Sequence, residues 1–244
     1  DGWSEVQGDC LDSDAAVSPV GLEACNGLDD DCDPTTSELL DDDGDGLSDC
    51  EGDCGDDAAR RNPDAVEVCG DGRDDDCDGQ VDEDCVTCDR WVPGDDATIQ
   101  GAIDAASVAD VICVEPGVWP GSLDFAGQAV HVLGVGGELL TTIDAEGAGP
   151  VVLFDSGEGR DSILERFTLV GGENPEGGGI SILDSGPTLL RLQIHDCLAG
   201  RGGGVNSSNG YPLLSDSVVY DNLAWFHGGG ISFNDGSDGA IVGV

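Results

Sequence analysis

Between residues 41 and 49 the chain reads Asp-Asp-Asp-Gly-Asp-Gly-Leu-Ser-Asp, a stretch from which no packed core can be made. Asp41, Asp43 and Asp45 alternate, Gly46 permits a sharp turn after them, and Asp49 closes the run. Alternation brings several carboxylates around one point, and hard oxygen donors at this spacing suit Ca2+. The pattern departs from an EF-hand because the last-ligand position falls on Gly52, between Glu51 and Asp53, and no helix is expected on either side. A solvated acid run is the simpler alternative.

The whole chain amplifies this constraint. Asp and Glu number 52 against 8 basic residues, all arginine, giving a formal charge of −44 over 244 residues. Such a chain repels nucleic acid, and it repels an anionic membrane unless cations bridge the two. Compaction requires counter-charge, and divalent cations are its obvious source. Eight of the 11 cysteines fall between Cys10 and Cys85, which argues for disulfides and an oxidising, extracellular compartment. No long apolar run suggests membrane insertion.

The acidic cysteines are duplicated. An offset of 44 carries Gly8-Asp9-Cys10 to Gly52-Asp53-Cys54, Pro19 to Pro63, Glu23 to Glu67 and Cys25 to Cys69. One inserted residue later, Asp29-Asp30-Asp31-Cys32-Asp33 matches Asp74-Asp75-Asp76-Cys77-Asp78. So many matches of rare residue types mark an internal repeat. The second unit carries a further ligand series, Asp74, Asp76, Asp78, Gly79, Asp82 and Asp84. Its counterpart in the first unit, Asp29, Asp31 and Asp33, is followed by Pro34 in place of glycine and is expected to be weaker. Asp9, Asp12 and Asp14, and likewise Asp53, Asp56 and Asp57, are candidates to complete these shells. Carboxylate oxygens favour Ca2+ over copper or zinc. Cys85 and Cys88 could form a redox or zinc half-site, but structural pairing is the better reading.

The run Asp-Cys … Pro … Glu-x-Cys … Asp-Asp-Asp-Cys-Asp resembles the MopE-type metal-binding repeat of bacterial surface proteins. The aspartate loop itself resembles those of thrombospondin type 3 and dockerin modules. The first resemblance spans roughly residues 1–85 and implies extracellular metal binding.

From Trp91 the composition changes. Ile99, Ala102, Ile103 and Ala106 share one helical face, capped by Asp96 or Thr98, and Asp110–Gly117 reads as a buried strand ending in a turn. Apolar strands are expected at 130–133, 151–154, 163–170, 180–183, 189–194, 213–214, 218–220 and 231–233. The triplets Gly177-Gly178-Gly179, Gly202-Gly203-Gly204 and Gly228-Gly229-Gly230 recur at intervals of 25 and 26, and Gly186-Pro187-Thr188-Leu189-Leu190 recurs as Gly210-Tyr211-Pro212-Leu213-Leu214. Period, glycine turns and apolar strands together predict an all-β fold, a right-handed parallel β-helix of about six coils, covered at its start by the helix. This region resembles the pectin-lyase-like, polymorphic-outer-membrane-protein-like β-helix family through Thr98-Ile99-Gln100, Pro116-Gly117-Val118-Trp119 and the Gly-Gly-Gly-Ile coils. The resemblance implies a fold, not an activity.

Smaller features carry expectations too. Asn222 and Cys197 are equivalent by period. Cys197 is read as a buried small hydrophobe and the free thiol, and Cys88–Cys113 as a link between the helix-covered coil and what precedes it. Asn206-Ser207-Ser208, a formal glycosylation sequon, is read as a polar turn. His195, Asp196, Arg201, Asp221 and His227 are the candidates for an active site. They lack the companions that a polysaccharide lyase or glycoside hydrolase needs, and no catalytic residue is assigned.

The expected organisation is therefore a first acidic repeat at 1–38, a second, Ca2+-binding repeat at 39–90, and the β-helix at 91–244. By the same alignment, Asp1 corresponds to Asp45, so the chain begins inside a loop and ends within a coil. Excision from a longer chain is expected, a filament subunit completed by its neighbours being the rarer alternative. The function expected is a calcium-stabilised structural component of a cell surface or matrix. Self-association and binding to surface polysaccharide are possible partnerships, and a carbohydrate-binding adhesin or β-helix enzyme is the alternative.

Overall fold

The computed structural model describes residues 2–21, 24–33, 41–55 and 57–243, the side chain of Asp49 excepted. The chain divides into two compact units, residues 1–65 with 73–81, and residues 66–72 with 82–244.

Among its described residues, the first unit has almost no regular structure beyond single 3-10 turns at Glu5–Gln7 and Asp49–Glu51. The duplication seen in the sequence is structural. Ser4 and Ser48 each accept the amide of the aspartate five residues on, Asp9 (3.2 Å) and Asp53 (3.3 Å). Gly8 and Gly52 are left-handed, at φ 99° and 104°, and lie against the rings of Pro19 and Pro63. Disulfides join Cys10 to Cys32 and Cys54 to Cys77, and in each pair the first cysteine's N–H donates to the second sulfur, at 2.9 and 3.0 Å. A third disulfide, Cys25–Cys50, belongs to this unit. Among its described residues the buried apolar side chains are Val17 and Ala65, so cross-links take the place of a core there. Glu23 and Pro34 lie outside the described residues.

The second unit is a right-handed parallel β-helix of about six turns. Three parallel sheets form its sides. The first runs Arg90–Val92, Val111–Val114, His131–Gly134, Ile163–Val170, Thr188–Ile194, Leu213–Ser215 and Ala240–Val242. The second runs Leu123–Asp124, Val152–Phe154, Ile180–Leu183, Val205–Ser208 and Ile231–Asn234, and the third Glu173–Glu176, Leu198–Arg201 and Leu223–His227. Inside stand ladders of like side chains, for example Val132–Leu164–Leu189–Leu214 and Val152–Ile180–Val205–Ile231. Phe125, Phe154 and Phe167 are the largest of the fully buried side chains there.

Each coil turns its corners in left-handed conformation. The columns are Arg166–Arg191–Asp216, Gly171–Asp196–Asp221, Gly177–Gly202–Gly228 and Asp184–Asn209–Asp235, with φ between 47° and 76° throughout. Gly, Asn and Asp accept this conformation most cheaply, which is why they fill the last three columns, whereas the first holds Arg166 and Arg191 in it as well. The glycine triplets answer a second need. A Cβ on Gly178 would lie 2.7 Å from the carbonyl oxygens of Gly203 and Leu198, so backbone passes backbone too closely for any side chain.

The helix Ile99–Ala105 covers the first coil as expected, capped by Thr98, whose Oγ1 accepts the Gly101 amide at 3.0 Å. Gln100 uses both ends of its amide on the edge residue Asp124, accepting its N–H at 2.8 Å and donating to its carbonyl at 2.9 Å. A side chain thus does for this strand edge what a further strand would do. Cys88–Cys113 and Cys69–Cys85 tie residues 66–72 and 82–88 to the same unit, and Val68, Val86, Cys113, Leu133 and Val135 pack together there. Cys85 and Cys88 are therefore structural.

Two expectations need correction. Residues 186–190 and 210–214 do not align as equivalents. Thr188 pairs with Leu213 and Leu189 with Leu214, one residue out of step, because this register puts both Leu189 and Leu214 inside. Asn206-Ser207-Ser208 is no turn. Asn206 is 1% exposed within Val205–Ser208 and accepts the Asn234 amide at 2.7 Å.

Cys197 is the one free cysteine among the described residues, and it is buried. Burial, with the charges of Asp196 and Asp144 adding, pushes its thiol up to about 11. Its equivalent Asn222 closes the turn by accepting the Cys197 N–H at 3.1 Å and donating to the carbonyls of Ile194 and Tyr220. A thiol-specific disulfide reagent at pH 8 should leave the native protein unlabelled and titrate Cys197 only in denaturant. For the coil backbone, Gly203→Ala places a Cβ 2.3 Å from the Gly229 carbonyl oxygen. It should cost about 2 kcal/mol or more and lower the calorimetric midpoint by roughly 5 °C. Gly159→Ala, with nothing within 4 Å, should stay within about 0.5 kcal/mol of wild type.

Candidate metal centres

Two loops of the first unit share one local geometry. In Asp41–Leu47, Asp41 accepts the amides of Gly44 (2.7 Å), Asp45 (3.1 Å) and Gly46 (2.9 Å). Asp43 accepts Asp45 N–H at 3.0 Å and Asp45 accepts Leu47 N–H at 2.7 Å. In Asp74–Gln80 the same bonds return. Asp74 accepts Asp78 and Gly79, Asp76 accepts Asp78, and Asp78 accepts Gln80. Gly46 and Gly79 are both left-handed, at φ 92°. The backbone amides fix each aspartate's χ angles, so the three side chains converge instead of splaying into water.

The result is a ligand cluster. One oxygen each of Asp41, Asp43 and Asp45, and of Asp74, Asp76 and Asp78, lies within 4.8 Å of the others. Oxygens around one Ca2+ are at most about 5 Å apart, given bond lengths near 2.4 Å. Left to themselves, carboxylates about 4 Å apart repel by about 1 kcal/mol per pair in water and about 4 kcal/mol near a protein surface. A divalent cation turns that cost into attraction, so the donor set fits a hard ion.

The remaining candidates divide. Asp53 is 4% exposed and accepts Gly55 N–H at 2.7 Å. Asp9 is 3% exposed; its Oδ1 accepts Leu11 N–H at 2.9 Å and its Oδ2 is buried with no hydrogen-bond partner. Asp29 Oδ1 is buried and unpartnered too. Asp31 accepts Asp33 N–H at 2.8 Å, but among the described residues Asp29, Asp31 and Asp33 are not gathered as the other two triads are. Proline at 34 has no N–H to offer where Gly79 offers one to Asp74. Asp82 and Asp84 belong to the second unit, where Asp82 accepts Gly70 N–H at 2.6 Å and donates its own to Glu67 at 2.8 Å. Asp12 is exposed, and Asp56 and the Asp49 side chain lie outside the described residues.

The alternating pattern passed over Asp30 and Asp75, which are the most deeply buried acids of the repeats, at 2% and 1% exposed. Asp30 ties residues 18–30 together, accepting Ala24 N–H, the Asn26 side-chain amide and, at its carbonyl, Ser18 N–H. Its Oδ1 is buried and unpartnered. The signal was present, since both residues recur in the same place of the duplicated run.

On the β-helix, the residues considered for catalysis are held by neighbours. His195 Nδ1 lies 2.8 Å from Asp196, and its ring stacks on Tyr220. Arg201 pairs with Glu176 at 3.2 Å. Asp196 and Asp221 are equivalent left-handed corners, with Asp196 N–H donating to the Asp221 carbonyl at 3.3 Å.

A family model of MopE type, described as "Putative metal-binding motif", matches residues 9–38 and 53–83. These are the two acidic repeats. No curated protein and no solved structure matches the chain, so the β-helix stands on its own geometry rather than on a pectin-lyase-like relative.

Removing one ligand from either triad, by Asp43→Asn or Asp76→Asn, should reduce the number of high-affinity cation sites found by calorimetric titration by one each. Asp12→Asn, on an exposed residue, should leave that number unchanged.

Proposed function

We propose that this is an extracellular structural protein whose acidic repeats are rigidified by Ca2+ and whose β-helix supplies a stiff scaffold within a surface, matrix or filament assembly. The observation that carries the reading is the paired convergence of Asp41, Asp43 and Asp45 and of Asp74, Asp76 and Asp78, held open by backbone amides. Such triads are poised for a cation that supplies what a hydrophobic core would supply elsewhere.

Ca2+ is favoured over copper by donor chemistry. The triads offer carboxylate oxygen, the chain contains no methionine, and ten cysteines are tied in disulfides. The three histidines lie at 131, 195 and 227, in the β-helix. Soft or imidazole ligands would be needed to select copper. Five disulfides fit an oxidising environment, and no described helix is long and apolar enough to cross a membrane. A non-catalytic role fits the engagement of His195, Asp196 and Arg201 with one another's neighbours described above.

The test is limited proteolysis of the intact chain in Ca2+ and in chelator. Chelation should open cleavage sites within residues 1–81 and leave the β-helix resistant. Ca2+ should restore protection at micromolar to millimolar levels, and Cu2+ should not. Cleavage identical with and without chelator contradicts the proposal, as does turnover of neutral or acidic polysaccharides by the purified protein.

A further inference from the structure

The third sheet of the β-helix carries a feature that the scaffold does not require. Two successive coils measure 25 and 26 residues between glycine triplets, and the extra residue is absorbed at one point. Leu198 pairs with Leu223 and Ala199 with Ala224, but Arg201 pairs with His227, so Trp225 and Phe226 together stand opposite Gly200 in a β-bulge. A bulge re-aims side chains. Here the strand Leu223–His227 leaves both aromatic residues outside, Trp225 at 63% and Phe226 at 74% exposed, with Leu223 at 60% beside them. The Phe226 ring lies beside Gly200, within ordinary van der Waals contact of where a Cβ there would stand, while the close approach at Gly200 is to the Pro175 carbonyl oxygen. Leu223–His227 is an edge strand of the third sheet, and its side chains stand out of the plane in which a further strand would pair. A strand added in register pairs in the plane of the sheet and leaves such a face open.

Beside the rings lie hydrogen-bonding groups. Arg201 and Glu176 form an ion pair at 3.2 Å, both 44% exposed, so the surroundings are locally neutral while still offering N–H donors and carboxylate acceptors. His227 stands in register with Arg201.

Charge and area decide the occupant. The chain carries −44, which repels nucleic acid, anionic lipid and acidic glycans. The two rings expose on the order of 300 Å2, against roughly 800 Å2 per partner in a stable protein interface. A pyranose ring needs far less. One of its faces is lined with C–H groups, which the negative face of an aromatic ring attracts, while its hydroxyls bond to flanking polar side chains. We infer that Trp225 and Phe226 form a binding platform for a neutral polysaccharide, with Arg201, Glu176 and His227 receiving its hydroxyls. This platform is independent of the cation sites of the first unit.

The experiment is native affinity electrophoresis of the full chain in Ca2+, through gels containing hydroxyethyl cellulose, glucomannan or a β-1,3-glucan. At least one should retard the protein, and Trp225→Ala with Phe226→Ala should weaken retardation roughly tenfold or more, as for loss of a central aromatic anchor. The same polysaccharide should slow oxidation of Trp225 by N-bromosuccinimide, read by peptide mass spectrometry on the wild-type protein, which guards against a misfolded variant. Retardation by none of the three, retardation unchanged in the double variant, or Trp225 oxidised at the same rate with and without polysaccharide overturns the inference. So does sedimentation showing that the patch drives dimerisation abolished by the same substitutions. A chelator effect on residues 1–81 reports on the cation reading alone, so the two can fail separately.

Discussion

Carboxylate repulsion is the force this molecule is built around. In the first unit aspartates are not scattered over a surface but drawn together, and the backbone is what draws them. Amides at Gly44, Asp45 and Gly46, and at Asp78 and Gly79, point into the loops and hold the side chains converged. This arrangement is unfavourable alone and favourable around a cation, so under the proposed reading an ion bound there would link its binding to folding. Disulfides carry the rest of the burden, since Val17 and Ala65 cannot make a core.

The second unit solves a different problem. Its interior is a narrow aliphatic column, and its stability depends on coils stacking in register. Register is enforced at two levels: ladders such as Val132–Leu164–Leu189–Leu214 fix which face is inside, and the glycine triplets fix how closely successive backbones pass. Where stacking must begin, Gln100 of the covering helix satisfies the first strand edge of the second sheet.

How much of this was legible in the sequence follows from what signals are made of. Strands such as Ile163–Val170 and Ile180–Leu183 were readable because the residues that line the core, Leu164, Phe167 and Leu169 and then Ile180 and Ile182, are all large and apolar. Glu173–Glu176 and Leu198–Arg201 were not, because Glu-Asn-Pro-Glu is largely exposed and Leu-Ala-Gly-Arg buries only the small residues Ala199 and Gly200, so neither carries an apolar alternation to detect. The register of Leu189 was misjudged by one residue because the Gly-Pro and Gly-Tyr-Pro turns differ in length while the coil period holds at 25. In the acidic repeats, alternation found the converging triads but missed Asp30 and Asp75, whose role is to be buried between the positions that alternate. The sequon at Asn206 was misread as a turn because a polar ladder inside a solenoid looks like a surface when seen in one dimension.

Hydrogen exchange, read residue by residue with Ca2+ and with chelator, tests the central claim most directly. If cations complete the first unit, the amides of Gly44, Asp45, Gly46, Asp78 and Gly79 exchange slowly in Ca2+ and fast in chelator, while those of the Ile180–Leu183 and Val205–Ser208 strands keep their protection in both. Equal exchange of the loop amides in the two conditions would contradict the account.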